Sequence, residues 1–297
     1  MPAVLVNGPA SWNTVVRLPE LPGPRPQTLA ARASWDGLGG TSAGKARTLA
    51  ALGVEVLLAT VLGDDEPAAA VRGSLDRPDP RLLARPAVAG RTERHLNLLA
   101  DDGGRISLYL ELPEPLGPVP AELATALREA PVAVLDLAEH SRPLLAAARG
   151  AGVPVWCDVH DDDGTAAYPR AFADAADVLL VSSSRLADPR AYLSARIRAG
   201  TQLAVCTFGA DGALAHDADG WWEVPAAPVD VVDLEGAGDA FLAGLLAGTL
   251  DGLPVRDALA LAAAVAGIAV GQPGLGAARI TRAQADGLAR SVQVRRV

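Results

Sequence analysis

The 297-residue chain is poor in the side chains from which several kinds of site are built. It has a single lysine, Lys45, one methionine, two cysteines and four histidines, and aromatic residues make up 4% of it. Its formal charge is -9, and its positive charge is almost entirely arginine without a basic run or stripe. Such a surface does not gather nucleic-acid phosphates, so a nucleic-acid partner is not expected. No apolar run reaches the length of a spanning helix, and the start MPAVLVNGPAS lacks a charged segment followed by a long apolar one. The expectation is a soluble, cytoplasmic protein without a membrane role. Cys157 and Cys206 lie in the apolar runs VPVWCDV and LAVCTFG, with no CxxC spacing and no histidine cluster beside them. Buried thiols are expected there, not a disulfide or a metal centre. The scarce aromatics, Trp12, Trp35, Trp156, Trp221 and Trp222 among them, read as core or hinge filling.

What the chain does have is aliphatic. Hydrophobic residues account for 50% of it, largely Ala, Val and Leu, enough for one sizeable core with a small attachment. From residue 120 onward, apolar runs alternate with Ala/Leu/Arg stretches of helical character. VAVLDLA (132–138), VPVWCDV (153–159), DVLLVS (177–182) and LAVCTFG (203–209) are the apolar runs. Continuous apolar strands alternating with helices predict an α/β core with a mostly parallel sheet covered on both faces. A first strand, AVLVNG (3–8), precedes two stretches of weaker alternation, Val15 to Trp35 and Arg91 to Leu112, the second turning at DDGG. Between them TSAGKARTLAALG reads as a helix. The two β stretches predict a small sheet, with strands at approximately 12–36 and 91–112 inserted in a single domain spanning 1–297. It is read as a lid that keeps water from a site, an edge hairpin being the plainer alternative.

The segment VDVVDLEGAGDAFLAGLLAG (229–248) carries the chemistry. It reads as a β-branched run ending at Asp233, a glycine turn, and an apolar helix beginning near Asp239. Gly236, Ala237 and Gly238 have almost no side chain, so their N–H groups can approach an anion at a helix N-terminus whose dipole favours negative charge. A carboxylate beside such a cradle can take a proton from an attacking hydroxyl while the amides stabilise a transferring phosphoryl group. A dinucleotide fingerprint fits less well, because GAGDAF has Phe241 where the third glycine belongs. GGTSAGKA (39–46) approaches a Walker A loop but ends in Ala46 in place of Ser or Thr, and SWDGL before it does not read as a strand. A tight helix-capping turn is the structural alternative.

DLEGAGDAF resembles the DTxGAGDxF signature of the ribokinase-like (PfkB) carbohydrate and nucleoside kinases. GGTSAGKARTLAALG (39–53) resembles that family's GGxxxNxAxxxxxLG, VLGDD (61–65) its following GxD, and VCTFGADG (205–212) its TxGxxG turn. VNGPASWNT is similar to the strand ending in a sugar-contacting acid. The resemblance spans nearly the whole chain. It implies a three-layer α/β core with a β lid, and transfer of the γ-phosphoryl group of ATP, with Mg2+, to a hydroxyl of a small sugar or nucleoside. It implies Asp239 as the base and Gly236, Ala237 and Gly238 as the anion hole. Thr207, Gly209 and Gly212 would line the nucleotide site, and Asn13, Gly39, Gly40 and Gly44 the acceptor site. Asp233, with carbonyls near Ala269 and Gly274, would hold a monovalent cation such as K+, and the lid would allow a homodimer.

The departures from the pattern are specific. Gly44 stands for Asn, Asn13 for the sugar-binding acid and Leu234 for Thr, while VSSSR (181–185) puts Ser182 and Arg185 at the ends of an NxxE motif. Arginine pairs with phosphate oxygens where it cannot ligate a metal, which makes Arg185 a candidate phosphate contact, or else a solvent-facing helix arginine. His95 and Asn97 fall on the lid within reach of an acceptor. His140, His160 and His216 have no ligand spacing, and Asp161, Asp162 and Asp163 read as a solvated turn. Two other functions stay open on the sequence: a degenerate kinase fold serving as a metabolite-binding or regulatory module, and a dinucleotide-dependent oxidoreductase.

Overall fold

A computed structural model describes residues 2–75, 80–272, 274–275 and 279–297. Among the described residues the strands are β1 (Val4–Asn7), β2 (Ser11–Leu18), β3 (Ala33–Gly39), β4 (Val56–Leu62), β5 (Arg81–Pro86), β6 (Arg94–Ala100) and β7 (Arg105–Glu111). They continue with β8 (Ala133–Leu135), β9 (Val155–Asp158), β10 (Val178–Ser182), β11 (Leu203–Thr207), β12 (Ala213–Asp217), β13 (Gly220–Val224) and β14 (Arg295–Arg296). The helices are α1 (Thr41–Ala51), α2 (Glu66–Ser74), α3 (Ala121–Glu129), α4 (Arg142–Ala151), α5 (Ala167–Ala173), α6 (Pro189–Ala199), α7 (Ala237–Leu250), α8 (Val255–Val270) and α9 (Arg282–Ala289).

Ten strands form one sheet in the order β14-β13-β12-β11-β10-β9-β8-β1-β4-β5. Pairing is parallel from β5 through β11 and antiparallel from β11 to β14. The continuous apolar runs of the central strands follow from burial on both faces. In β1, Val4 and Val6 join a core that includes α1, α7 and α8, while Leu5 joins the opposite core with α3, α4 and α5. The aliphatic richness of the chain is therefore divided between two cores, one on each side of the sheet. Trp156 is buried in the first, and Cys157 and Cys206 are free buried thiols in the second.

The second sheet has four strands in the order β3-β2-β6-β7. Its central pair, β2 and β6, is parallel and each outer pair antiparallel. SWDGL lies inside β3, contrary to the sequence reading. The sheet imposes extended backbone on a run of weak pattern, because pairing from Arg17↔Ala33 to Ser11↔Gly39 satisfies its main chain. The opposite correction applies to 229–233, which forms no strand. The sheet edge nearby is taken by β12 to β14, and the N–H groups of Val232 and Asp233 both donate to the Val270 carbonyl instead.

Parallel strands deliver their C-terminal ends to one rim of the sheet, where α/β proteins bind ligands. Asn7, Asp136, Asp158, Ser182 and Thr207 end or directly follow β1, β8, β9, β10 and β11 at that rim. Helix α7 points its first turn at the same place. It is locked by close packing on α8, since a Cβ on Gly244 would lie 2.9 Å from Ala262 Cα.

Candidate active site

Gly236 caps α7 with φ 75°, a left-handed conformation glycine adopts without strain, and the helix begins at Ala237, two residues before the expected start. The Gly236 carbonyl accepts from Ala240 N at 2.9 Å, which closes the first turn. The N–H groups of that first turn have no partner within the helix. They are the groups on which the expected anion cradle of Gly236, Ala237 and Gly238 would rest. Asp239, in the same turn, is buried and faces inward.

Its principal partner was missed by sequence reasoning. Lys45 on α1 is completely buried and donates from Nζ to Asp239 Oδ1 at 2.7 Å. The same ammonium lies 2.9 Å from Asp136 Oδ1 and 3.5 Å from Asp158 Oδ2. The Asp136 contact is an ion pair without hydrogen-bond geometry, and Asp136 Oδ2 accepts from Ser42 Oγ at 2.6 Å. Asp158 Oδ1 accepts from His160 N at 2.9 Å. His160 holds a φ of 50°, and among the described residues no other non-glycine has a positive φ. The available signal was the lone lysine inside GGTSAGKA, together with an aspartate at the end of each of two core strands.

Burial pushes the Asp239 carboxyl up to about 6, with Asp158 adding to the rise and Lys45 and His160 opposing it. Burial alone would lower Lys45, but the three carboxylates outweigh it and hold the ammonium above its ordinary range. Asp158 falls below the usual carboxylate range although burial raises it, because His160, Lys45 and the His160 N–H favour its charged form. Asp239 is the member of this cluster whose proton affinity is brought near neutrality.

The residues expected on the acceptor side meet where the four-stranded sheet joins the core. A Cβ on Gly39 would lie 2.0 Å from Asn13 Nδ2 and 2.8 Å from Ser11 Oγ, so glycine is required there. Gly40, with φ 90°, caps α1 beneath the Pro9 carbonyl. Asn13 Oδ1 accepts from His95 N, and His95 Nε2 meets Glu93 Oε1 at 2.8 Å while its ring lies 4.2 Å from that of Tyr109. Asn97 Nδ2 donates to Glu235 Oε1 at 3.3 Å, tying the lid to the residue before the cradle. Ser11 Oγ, Thr41 Oγ1 and Asn97 Oδ1 are buried without a hydrogen-bond partner. A hydroxylated ligand is the kind of molecule such atoms accommodate. Gly44 lies against the Asp239 carboxylate, and a Cβ there would come within 3.1 Å of Asp239 Oδ2.

Thr207 ends β11, and Gly209 and Gly212 bound the short 3-10 turn that follows, where a Cβ on Gly212 would lie 2.1 Å from the Val224 carbonyl. Asp233 accepts from Glu235 N and Gly274 N and so joins the cradle loop to the turn after α8. Arg185 stands apart from the lysine cluster and is exposed, with its guanidinium 3.3 Å from Asp163 Oδ2 and 3.8 Å from Asp161 Oδ2. His140 packs against Asn7 instead, and burial, aided by Arg85, lowers its imidazole to about 4.

A model of the pfkB family carbohydrate kinases matches residues 137–282. An acarbose 7(IV)-phosphotransferase from Actinoplanes is 33% identical over 294 residues, covering 94% of this chain and 96% of the relative. The chain belongs to the PfkB carbohydrate kinase family. An ATP-dependent ribose-1-phosphate kinase from Halopiger xanaduensis is 31% identical, with 92% of this chain and 94% of the relative covered. Among solved structures, a microbiome-derived acarbose kinase superposes with a TM-score of 0.85 at 26% identity, covering 97% of this chain and 99% of the other. Arabidopsis thaliana ribokinase, solved with ribose and ATP, shares the fold with a TM-score of 0.81 at 22% identity over 97% and 99% of the two chains. This chain is thus an ATP-dependent phosphotransferase acting on a hydroxyl of a small sugar or nucleoside. No helix of the described residues is long and apolar enough to cross a membrane.

Proposed function

We propose that Asp239 is the base of this PfkB kinase and that its acceptor is a carbohydrate, the class named in the acarbose and ribose-1-phosphate relatives. The acceptor hydroxyl gives its proton to Asp239 and its oxygen attacks the γ-phosphorus of ATP, with ADP leaving in line. The amides of Gly236, Ala237 and Gly238 take the charge on the transferring group. Thr207, Gly209 and Gly212 line the nucleotide path, and Asn13, Gly39, Gly40 and Gly44 face the acceptor. The observation that carries this reading is Asp239 itself, a buried carboxylate in the first turn of α7, with one oxygen gripped by Lys45 and a proton affinity near neutrality.

Mg2+ is assigned to the ATP phosphates, a mode in which phosphates and water supply most ligands and few protein side chains are needed. That suits described residues holding no cluster of three metal-ligating side chains. Asp233, whose two carboxylate oxygens accept from Glu235 N and Gly274 N, would be the residue to hold a monovalent cation such as K+. There the ion would stiffen the cradle loop.

The test is ADP release with ATP and Mg2+ across acarbose, maltooligosaccharides, ribose 1-phosphate, ribose and nucleosides. A carbohydrate is expected to raise ADP release well above the ATP-only background. Turnover confined to nucleosides would overturn the acceptor class. Binding of ATP and a sugar without ADP release would make the protein a sensor instead of a kinase.

A further inference from the structure

Lys45 is the chain's only lysine, and it is enclosed within the protein. Its position in GGTSAGKA makes it look like a phosphate-binding lysine, yet its ammonium faces three aspartates. They come from different elements: Asp136 just after β8, Asp158 at the end of β9 and Asp239 in α7. Such an arrangement is weak evidence of a stabilising device, because buried ion pairs are often no better than apolar packing. Its geometry is unequal in a way that stability alone does not require. The 2.7 Å hydrogen bond goes to Asp239 Oδ1, while Asp136 and Asp158 are anchored by Ser42 Oγ and His160 N. On the other side of the carboxylate, Oδ2 faces Gly44, with 3.1 Å to the position a Cβ would take.

We infer that Lys45 is a positioning residue for phosphoryl transfer: its ammonium clamps Asp239 Oδ1, and Gly44 leaves Oδ2 open toward the acceptor hydroxyl. The inference rests on Asp239 being the base. Asp136 and Asp158 hold the ammonium in place, so that Lys45 cannot swing out toward the ATP phosphates. An asparagine at 44 would bring its Cβ against Oδ2 and the Leu275 side chain.

Lys45 also sets the proton affinity of the base. The groups around Asp239 are Lys45 from α1, Asp136 after β8, Asp158 in β9 and His160 in the turn beyond it. The neighbouring Cys157 thiol is held neutral by burial. Lys45 and His160 pull the Asp239 carboxyl down against burial and Asp158. Without the ammonium, only His160 and the N-terminus of α7 are left to oppose the desolvation, and the base would be protonated over more of the working pH range.

The experiment titrates full-length protein labelled at aspartate 13Cγ by NMR, with the Asp239 signal assigned by its loss in Asp239→Asn. The wild-type midpoint is expected near about 6. In Lys45→Gln it should rise by at least about one pH unit, the usual effect of losing an adjacent opposite charge. With an acceptor from the ADP-release screen, the acid limb of kcat/KM should rise by the same amount. A midpoint that does not move, or a rate lowered equally at every pH, overturns the inference. Should Lys45→Gln fail to fold by circular dichroism, Lys45→Gln/Asp136→Asn keeps the cluster's wild-type net charge and is held to a smaller upward shift, because the hydrogen-bonded ammonium acts on Asp239 more strongly than the Asp136 charge lost with it; an unmoved or lowered midpoint overturns the inference. Full turnover in Asp239→Asn would remove the base reading separately, whatever the titrations give.

Discussion

Two groups near the rim of the sheet use the same components, one cation facing several aspartates, and differ in almost everything else. Around Lys45 the side-chain exposures are 0% for the lysine and Asp136 and 7% for Asp158 and Asp239. Around Arg185 they are 59% for the arginine, 67% for Asp161 and 31% for Asp163. Asp158 and Asp161 are only three residues apart, yet one ends a core strand and the other is exposed in the turn beyond, where Asp162, contrary to the sequence reading of a solvated turn, is buried and accepts from the Tyr192 hydroxyl. In the interior, low dielectric makes each charge felt strongly and leaves no water to replace a lost partner. At the surface, water and salt screen the pair and replace either member. Burial, more than the identity of the paired residues, therefore separates a group fit to tune a reaction from one that decorates a turn.

The comparison breaks most visibly at the base. Asp239→Asn is expected to lower kcat by about 10²- to 10⁴-fold, the range for losing a general base, with ATP binding kept. A loss below about tenfold, measured by coupled ADP release, would show that the buried cluster does no chemistry. Next in size is Lys45→Met, which strands buried carboxylates and should cost about 3–5 kcal/mol of unfolding free energy in urea titrations. A change under about 1 kcal/mol would place the cluster in the same class as an exposed pair.

A third test sharpens the contrast through pH. Asp239 accepts a proton only when ionised, and its pKa is raised to about 6, so kcat/KM should fall as pH drops through that value and level off above it. A limb near the ordinary carboxylate pKa of about 4 would mean that the interior does not perturb the base. The smallest effect belongs to the turn. Arg185→Ala is expected to change kcat/KM by less than about fivefold, the ceiling an exposed pair sets, with the Mg2+ response unchanged. A larger loss with an altered Mg2+ dependence would instead make Arg185 the phosphate contact that its place in VSSSR points to.

Much of the architecture was legible before any coordinates because it rests on local pattern. The runs around Val134, Cys157, Leu180 and Val205 became parallel strands within three residues of expectation, since strands buried on both faces must be apolar throughout. DLEGAGDAF announced a small-residue turn opening a helix, and such a turn needs little more than its own sequence. Pattern failed where partners decide. SWDGL is a strand because β2 supplies its hydrogen bonds, and VDVV is a loop that lies along α8, with the Val232 N–H donating to the Val270 carbonyl and not to a strand.

By itself the sequence determined the layered α/β class, the small second sheet and the small-residue turn that opens the helix carrying Asp239, each from the pattern of its own stretch of chain. Only the tertiary structure decided what Asp239 touches. Asp239 is 194 residues from Lys45, and the two meet because α1 and α7 pack on the same side of the sheet while β8 and β9 end beneath them. Such contacts leave no periodic trace, since charge in the interior is set by which elements converge and by how completely they exclude water.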